Sequence, residues 1–351
     1  MSNETDFHVH IAYVYYGSAL VSVFLNSLSI LLVLTKSPNQ LGAYKHLMVI
    51  ISVYEIMYST LDAFLVPIHF SNGPAIVELV SVYDKPVDRT ALVFLNLVYW
   101  MFYGASLTIL SLHFIYRWLV VSENPLASSF HSWKLIPWLL IPVLMGVVWM
   151  ANGYYLCSPD KETSDYVRSG VLKTFGESVD NFEYFGVYVY KLTDNGKIVL
   201  HYRSIISLGI MLLTLGGTFL VIVFFGTKCY RRIASIMSIS VSDQSHHLQR
   251  QLFHAVVTQT LVPLLLVHIP TAVLLLFAFL NINLGSTSAF VSISVAFYPS
   301  FEPLPNLLIV KPYRDAIFKF FKCRGMRVGQ LAYQVPNTHS SSLGALPTRD
   351  L

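Results

Sequence analysis

Residues 91–121 read ALVFLNLVYWMFYGASLTILSLHFIYRWLVV, and no fixed charge interrupts the run before Arg117. About 20 mostly apolar residues make a helix long enough to cross the hydrocarbon core of a bilayer. This stretch therefore predicts a membrane span with residues to spare. Six more of the same kind flank it, at Ile11–Thr35, His46–Phe70, Leu135–Leu156, Ile205–Gly226, Phe253–Leu280 and Thr287–Val310. Composition agrees: 54% of the chain is hydrophobic and 12% charged, about half the charged share of a soluble domain. The expected fold is an all-α membrane protein, a seven-transmembrane helix bundle over residues 11–310.

Seven crossings put the two termini on opposite sides, and charge assigns the sides. The connections on the side of the C-terminal tail, with the tail, hold 15 Lys/Arg against four acids. The other side holds eight against twelve, and Glu55, Asp62 and Glu302 lie inside predicted spans. Lys/Arg excess marks the cytoplasmic face, so residues 1–10 are expected outside and the tail inside. A basic inner surface fits anionic lipid headgroups and an acidic cytosolic partner, not nucleic acid. Residues 1–10 carry no Lys or Arg, so they lack the basic region of a signal peptide. Asn3 in Asn3-Glu4-Thr5 is a glycosylation acceptor on the outer side. Cys229 and Cys323 fall inside, which leaves Cys157 alone outside and predicts no disulfide across the outer loops. Cys157 then reads as a plain interfacial thiol.

The longest connection, residues 157–203, is outside. Its Phe182–Tyr190 run followed by Asp194-Asn195-Gly196 reads as strand and turn, a small lid over an outer cavity. After the seventh span, residues 311–324 alternate apolar and basic positions at helical spacing. They predict an amphipathic helix on the inner leaflet, with Cys323 a palmitoylation candidate. The polar, Ser-rich residues 325–351 are expected to be disordered.

Polar groups inside spans are costly and so point to roles. Glu55 and Asp62 are seven apart and share one face of the second helix. With Glu302 of the seventh they form either a hydrated network that rearranges on switching or a set of fixed packing contacts. Pro263, Pro270, Pro299, Pro303 and Pro305 bend the last two spans, and neighbouring side chains or water satisfy the carbonyls they free. Arg117 stands at the inner end of the third span, either snorkelling to the headgroups or placed to meet a G protein. Asn96, Tyr99, Trp100 and Tyr103 recur at helical spacing and form either a helix-packing stripe or the wall of a mostly apolar pocket. No acid lies in the outer third of a predicted helix, which argues against an amine ligand; His69 is a candidate polar contact.

The chain resembles nematode seven-transmembrane G-protein-coupled chemoreceptors of the Str type over about residues 12–325. The resemblance is carried by Leu41-Gly42-Ala43-Tyr44-Lys45-His46-Leu47-Met48 and by Tyr58-Ser59-Thr60-Leu61-Asp62 with Pro67 and His69. Further matches are His113-Phe114-Ile115-Tyr116-Arg117, Gln251-Leu252-Phe253, Gln259-Thr260 with Pro263, Tyr298-Pro299, Glu302-Pro303-Leu304 and Tyr313-Arg314. It implies an olfactory-type receptor of sensory cilia that binds a small extracellular chemical and activates a heterotrimeric G protein. By analogy with rhodopsin-type receptors, Arg117 takes the place of their arginine, with Tyr116 where they carry an acid. Glu302 stands where the family more often has aspartate. The competing reading is a cation channel or transporter using Glu55, Asp62 and Glu302, though no inverted repeat supports it. No HExxH helix, nucleophile elbow or phosphate-cradling glycine loop is present, so neither an enzyme nor a cofactor is expected.

Overall fold

The computed structural model describes residues 2–38, 41–83, 85–193, 195–239 and 244–320. Six helical stretches are long and apolar enough to cross a membrane: Val9–Lys36, Tyr44–Leu65, Arg89–Val121, Ser132–Leu156, Tyr202–Ser235 and His247–Phe279. They belong to α1 (Ser2–Lys36), α2 (Tyr44–Leu65), α3 (Arg89–Val121), α4 (Ile136–Leu156), α6 (Tyr202–Ile239) and the pair α7 (Gln244–Pro263) and α8 (Ile269–Phe279). Helix α3 is the central post, packed against α2, α4, α6 and α7. Helices at the rim turn leucines outward, Leu212 and Leu213 of α6 among them, as lipid-facing surface does.

The expected seventh span is divided into α9 (Ala289–Phe301) and α10 (Leu304–Ile309), with the break at Glu302-Pro303. The cause is proline, which has no N–H to give the carbonyl four residues before it. Pro303 thus strips the Pro299 carbonyl, and α1 supplies replacements: Asn26 Nδ2 donates to it at 3.1 Å and Ser22 Oγ at 3.2 Å. One turn away Ser18 Oγ donates to the Ala296 carbonyl at 2.5 Å. Pro270 likewise strips Leu266, whose carbonyl accepts from Ser294 Oγ at 2.6 Å. A π-helical turn, Leu264–His268, sits between the two prolines of this span.

The bundle is not all-α. Helix α2 stops at Leu65, short of the expected Phe70, because Val66 turns left-handed (φ 50°) ahead of Pro67 while its N–H caps Asp62. The chain then forms β1 (Ile68–Asn72) and β2 (Ala75–Ser81), joined through the positive-φ residue Gly73. Strand β3 (Phe182–Tyr188) completes an antiparallel sheet in the order β1-β2-β3. The alternation of strand side chains sorts it into two faces. Val77, Leu79, Tyr184 and Tyr188 pack with Val167, Val171 and Phe175 of α5 (Lys161–Phe175). Ile76, Val80, Phe185 and Val187 pack on the bundle.

Helix α5 was not anticipated, although Thr163, Val167, Val171 and Phe175 repeat every fourth residue on its buried face. Asp160 caps its start and Gly176 (φ 71°) its end. The hairpin read around residues 194–196 is present as β4 (Tyr190–Leu192) and β5 (Ile198–Leu200), but the cover over the bundle is the three-stranded sheet. A last helix, α11, runs over residues 311–320. It buries Tyr313, whose hydroxyl pairs with Ser37 Oγ at 2.8 Å, and exposes Phe318 and Phe320. Cys323 and the 325–351 tail lie outside the described residues, as does the side chain of Asn3. Cys157 is no interfacial thiol: it is 1% exposed with Sγ 3.0 Å from Ser207 Oγ.

Candidate functional site

Under the sheet lies a cavity of about 130 Å³. Its roof is a row of cross-strand neighbours, His69 paired with Glu78 and Glu78 with Phe185. Its walls are Tyr99, Trp100 and Tyr103 of α3, Trp149 of α4, Met211 of α6 and Thr271 of α8. The helical spacing of 99, 100 and 103 turns these three rings to one face of α3. Three of the four stripe residues named above thus line the cavity. Asn96 does not: it is fully buried, and neither end of its side-chain amide has a protein partner.

The aromatic wall is braced from behind. Trp149 Nε1 donates to Thr214 Oγ1 at 3.0 Å, and its ring lies 5.0 Å from that of Tyr103 and 6.3 Å from that of Trp100. Trp100 meets Phe185 edge-on at 5.5 Å. Gly104 makes this possible, since a Cβ there would lie 2.2 Å from the Trp149 indole.

Two polar groups break the apolar lining. Glu78 accepts a hydrogen bond from Trp100 Nε1 at 3.3 Å, and His69 Nε2 lies 3.8 Å from its other oxygen. Both are outside the helical spans. Burial pushes the Glu78 carboxyl up to about 8 and holds His69 down at about 4. His69 was expected as a polar contact and Glu78 was not, because Glu78 stands on a strand and not inside an apolar helical run where an acid is conspicuous. The expectation against an amine ligand rested on helix acids alone, and Glu78 removes its premise.

The intramembrane acids divide between two partners. Tyr298 donates its hydroxyl to Glu55 at 2.5 Å, tying α2 to α9. Gln259 Nε2 donates to Glu302 at 3.0 Å, tying the break in the last span to α7. Asp62 stands apart from both, beside the Tyr99 hydroxyl. A line of rings bridges the levels: Tyr99 stacked on Tyr58 at 5.3 Å, then Tyr58 tilted against Tyr298 at 5.9 Å.

At the opposite end of α3, Arg117 is 1% exposed, so it does not snorkel. Its guanidinium lies 3.6 Å over the Tyr44 ring, and Nη1 donates to Gln249 Oε1 of α7 at 2.7 Å. Tyr116 stacks on the other side of Tyr44 at 5.8 Å and reaches the Leu41 carbonyl at 3.5 Å. The arginine is held by an aromatic face and a neutral amide rather than by an acid.

The helix bundle with its roofed chamber is that of a multi-pass helical membrane protein. Residues 11–318 match the family model of serpentine seven-transmembrane G-protein-coupled chemoreceptors of the Str type. The chain is 33% identical over 307 residues to G-protein coupled receptor str-217 of Caenorhabditis elegans, covering 86% of this chain and 87% of that one. It is 30% identical over 311 residues to serpentine receptor class r-10 of Caenorhabditis briggsae, again covering 86% and 87%. The chain belongs to the Str family of G-protein-coupled chemoreceptors. The family is one of receptors rather than enzymes, and its members act in chemosensation.

Proposed function

We propose that the chamber under the sheet binds a small extracellular chemical and that the Arg117 end then opens to a heterotrimeric G protein. In this reading the N-terminus and sheet face outward, and α11 lies on the cytoplasmic leaflet of the plasma membrane, in the sensory cilia of chemosensory neurons. The one-sided distribution of Lys and Arg supports that orientation. Asn3 is the glycan acceptor and Cys323 the lipid acceptor of the same arrangement.

The observation that carries the reading is a continuous line of contacts between the two ends. Tyr99 of the cavity wall stacks on Tyr58, the Tyr58 ring meets that of Tyr298 at a tilt, and Tyr298 holds Glu55. Helix α7 then carries both Gln259, on Glu302, and Gln249, on Arg117. A ligand that moves the aromatic wall biases this set, and Glu55, Asp62 and Glu302 serve as the switch. Tyr116 and Tyr44 position Arg117 for release.

The test is ligand-evoked G-protein dissociation in cells expressing the full chain, using a panel of small odorants. Arg117→Ala at equal surface abundance is expected to abolish it. Full signalling by that variant removes Arg117 from the mechanism, and ligand-evoked current without a G protein favours the channel reading instead.

A further inference from the structure

We propose that the ligand is a small protonated amine, held between the Glu78 carboxylate and the aromatic rings of Trp100, Tyr103, Trp149 and Phe185. The proposal rests on the reading of the chamber as the ligand site and adds its chemistry.

The group in hydrogen-bond contact with the Glu78 carboxyl is a donor. Trp100 Nε1–H points to one oxygen. On the other side, Ser292 Oγ accepts the His69 backbone N–H at 2.7 Å and stands 3.0 Å from His69 Nδ1. Donation of the Ser292 hydroxyl to Nδ1 assigns the remaining ring hydrogen to Nε2, the nitrogen facing Glu78. A carboxyl that accepts one N–H, with a ring nitrogen 3.8 Å from its other oxygen, is arranged as an acceptor, which suits a charged carboxylate and not an acid giving its own hydrogen to a carbonyl ligand. Burial opposes that charge, and a bound ammonium offsets the opposition by supplying a countercharge.

The rest of the lining points the same way. The faces of indole and phenol rings are negative and attract a cation within about 6 Å of the centroid. Five aromatic residues, Tyr99 among them, share the chamber with the acid. Its volume of about 130 Å³ is close to that of an engineered cavity that holds benzene, so the ligand has about six to eight non-hydrogen atoms. An amine of that size fills the site with its nitrogen at Glu78 and its hydrocarbon toward Met211 and Leu274.

Matched pairs test this on the full-length receptor: piperidine against cyclohexanol, and 3-methylbutylamine against 3-methylbutanol. Binding is read as thermal stabilisation of the purified protein, and signalling as G-protein dissociation in cells. The amine of each pair is expected to bind at least about tenfold more tightly, with Glu78→Gln erasing the preference and Glu78→Asp keeping part of it. Should Glu78→Gln fail to reach the surface, Trp100→Phe, which removes one N–H and keeps a ring, is expected to weaken amines more than alcohols. Equal binding within pairs, an unchanged preference in Glu78→Gln, or no binding by any amine overturns the proposal. Alcohols that bind and signal as well as amines leave the chamber as the ligand site while removing the amine. Amines that bind without signalling do the reverse.

Discussion

Arg117 lies with its guanidinium 3.6 Å over the ring of Tyr44, so α3 and α2 are joined at the tail end by a cation on an aromatic face. Such a contact is worth about 2 kcal/mol when desolvated, and the charged hydrogen bond to Gln249 about 1.5–3 kcal/mol. Removing either frees the arginine. Tyr44→Leu and Gln249→Ala are each expected to raise ligand-independent G-protein dissociation about tenfold at equal surface abundance, since 1.4 kcal/mol is tenfold in an equilibrium. Tyr44→Phe keeps the ring and is expected to stay near the parent. Unchanged basal signalling in Tyr44→Leu sinks the idea.

The acids separate packing from switching. Tyr298→Phe leaves a Glu55 oxygen buried without its donor, which costs about 1–3 kcal/mol and should lower the melting temperature in detergent. Asp62→Asn, which keeps the side chain's shape beside Tyr99, is expected to alter basal activity more than surface abundance. Loss of abundance alone in Asp62→Asn assigns the acid to packing.

Glu78 and His69 give the receptor a pH signature with opposite signs. The His69 pKa is lowered by burial to about 4, so the unfolded chain binds its proton more readily and stability rises with pH up to about 6.5. Burial raises Glu78 to about 8. The folded state therefore holds a proton that the unfolded chain has lost, and stability falls with pH until about 8. Between about 6.5 and 8 only the Glu78 effect remains, at most about 1.4 kcal/mol per pH unit. Tyr15, Asp62, Tyr99, Tyr103 and Cys157 also face it from α1, α2, α3 and the end of α4. Melting curves across this window should slope downward, and less steeply in Glu78→Gln. Amine affinity should climb over the same window as the carboxyl ionises, and a flat amine titration contradicts that.

Gly104 is the support for the aromatic wall. A methyl there meets Trp149 at 2.2 Å, and overpacking of this kind costs about 1–3 kcal/mol. Gly104→Ala should push the indole out of line and lose ligand stabilisation while Arg117-dependent basal signalling persists. Ligand binding at parental strength shows that the wall tolerates the shift.

Much of this was legible in the residues. Apolar run length accounts for six of the seven expected spans, and helical spacing alone puts Tyr99, Trp100 and Tyr103 on one face. The sheet was hidden for a specific reason. Strand β1 continues the hydrophobic run of α2, so only Pro67 signals a stop. Strand β2 is buried on both faces, so no polar alternation betrays it, and Glu78 passed for a solvated loop acid. The repeat of α5 and its two caps were there to be read. The burial of Arg117 was not, since whether a terminal arginine reaches water or a ring depends on Tyr44 and Gln249, far away in the chain.

Three side chains of α1, Ser18, Ser22 and Asn26, grip two carbonyls of α9, those of Ala296 and Pro299. Beyond the break at Glu302-Pro303 the chain changes partner: α10 packs on α7, the Lys311 N–H reaches Gln251, and Tyr313 meets Ser37. Residues 304–320 therefore answer to the helix that also holds Arg117, so trimming or extending them by a turn is expected to rescale the output without touching the chamber.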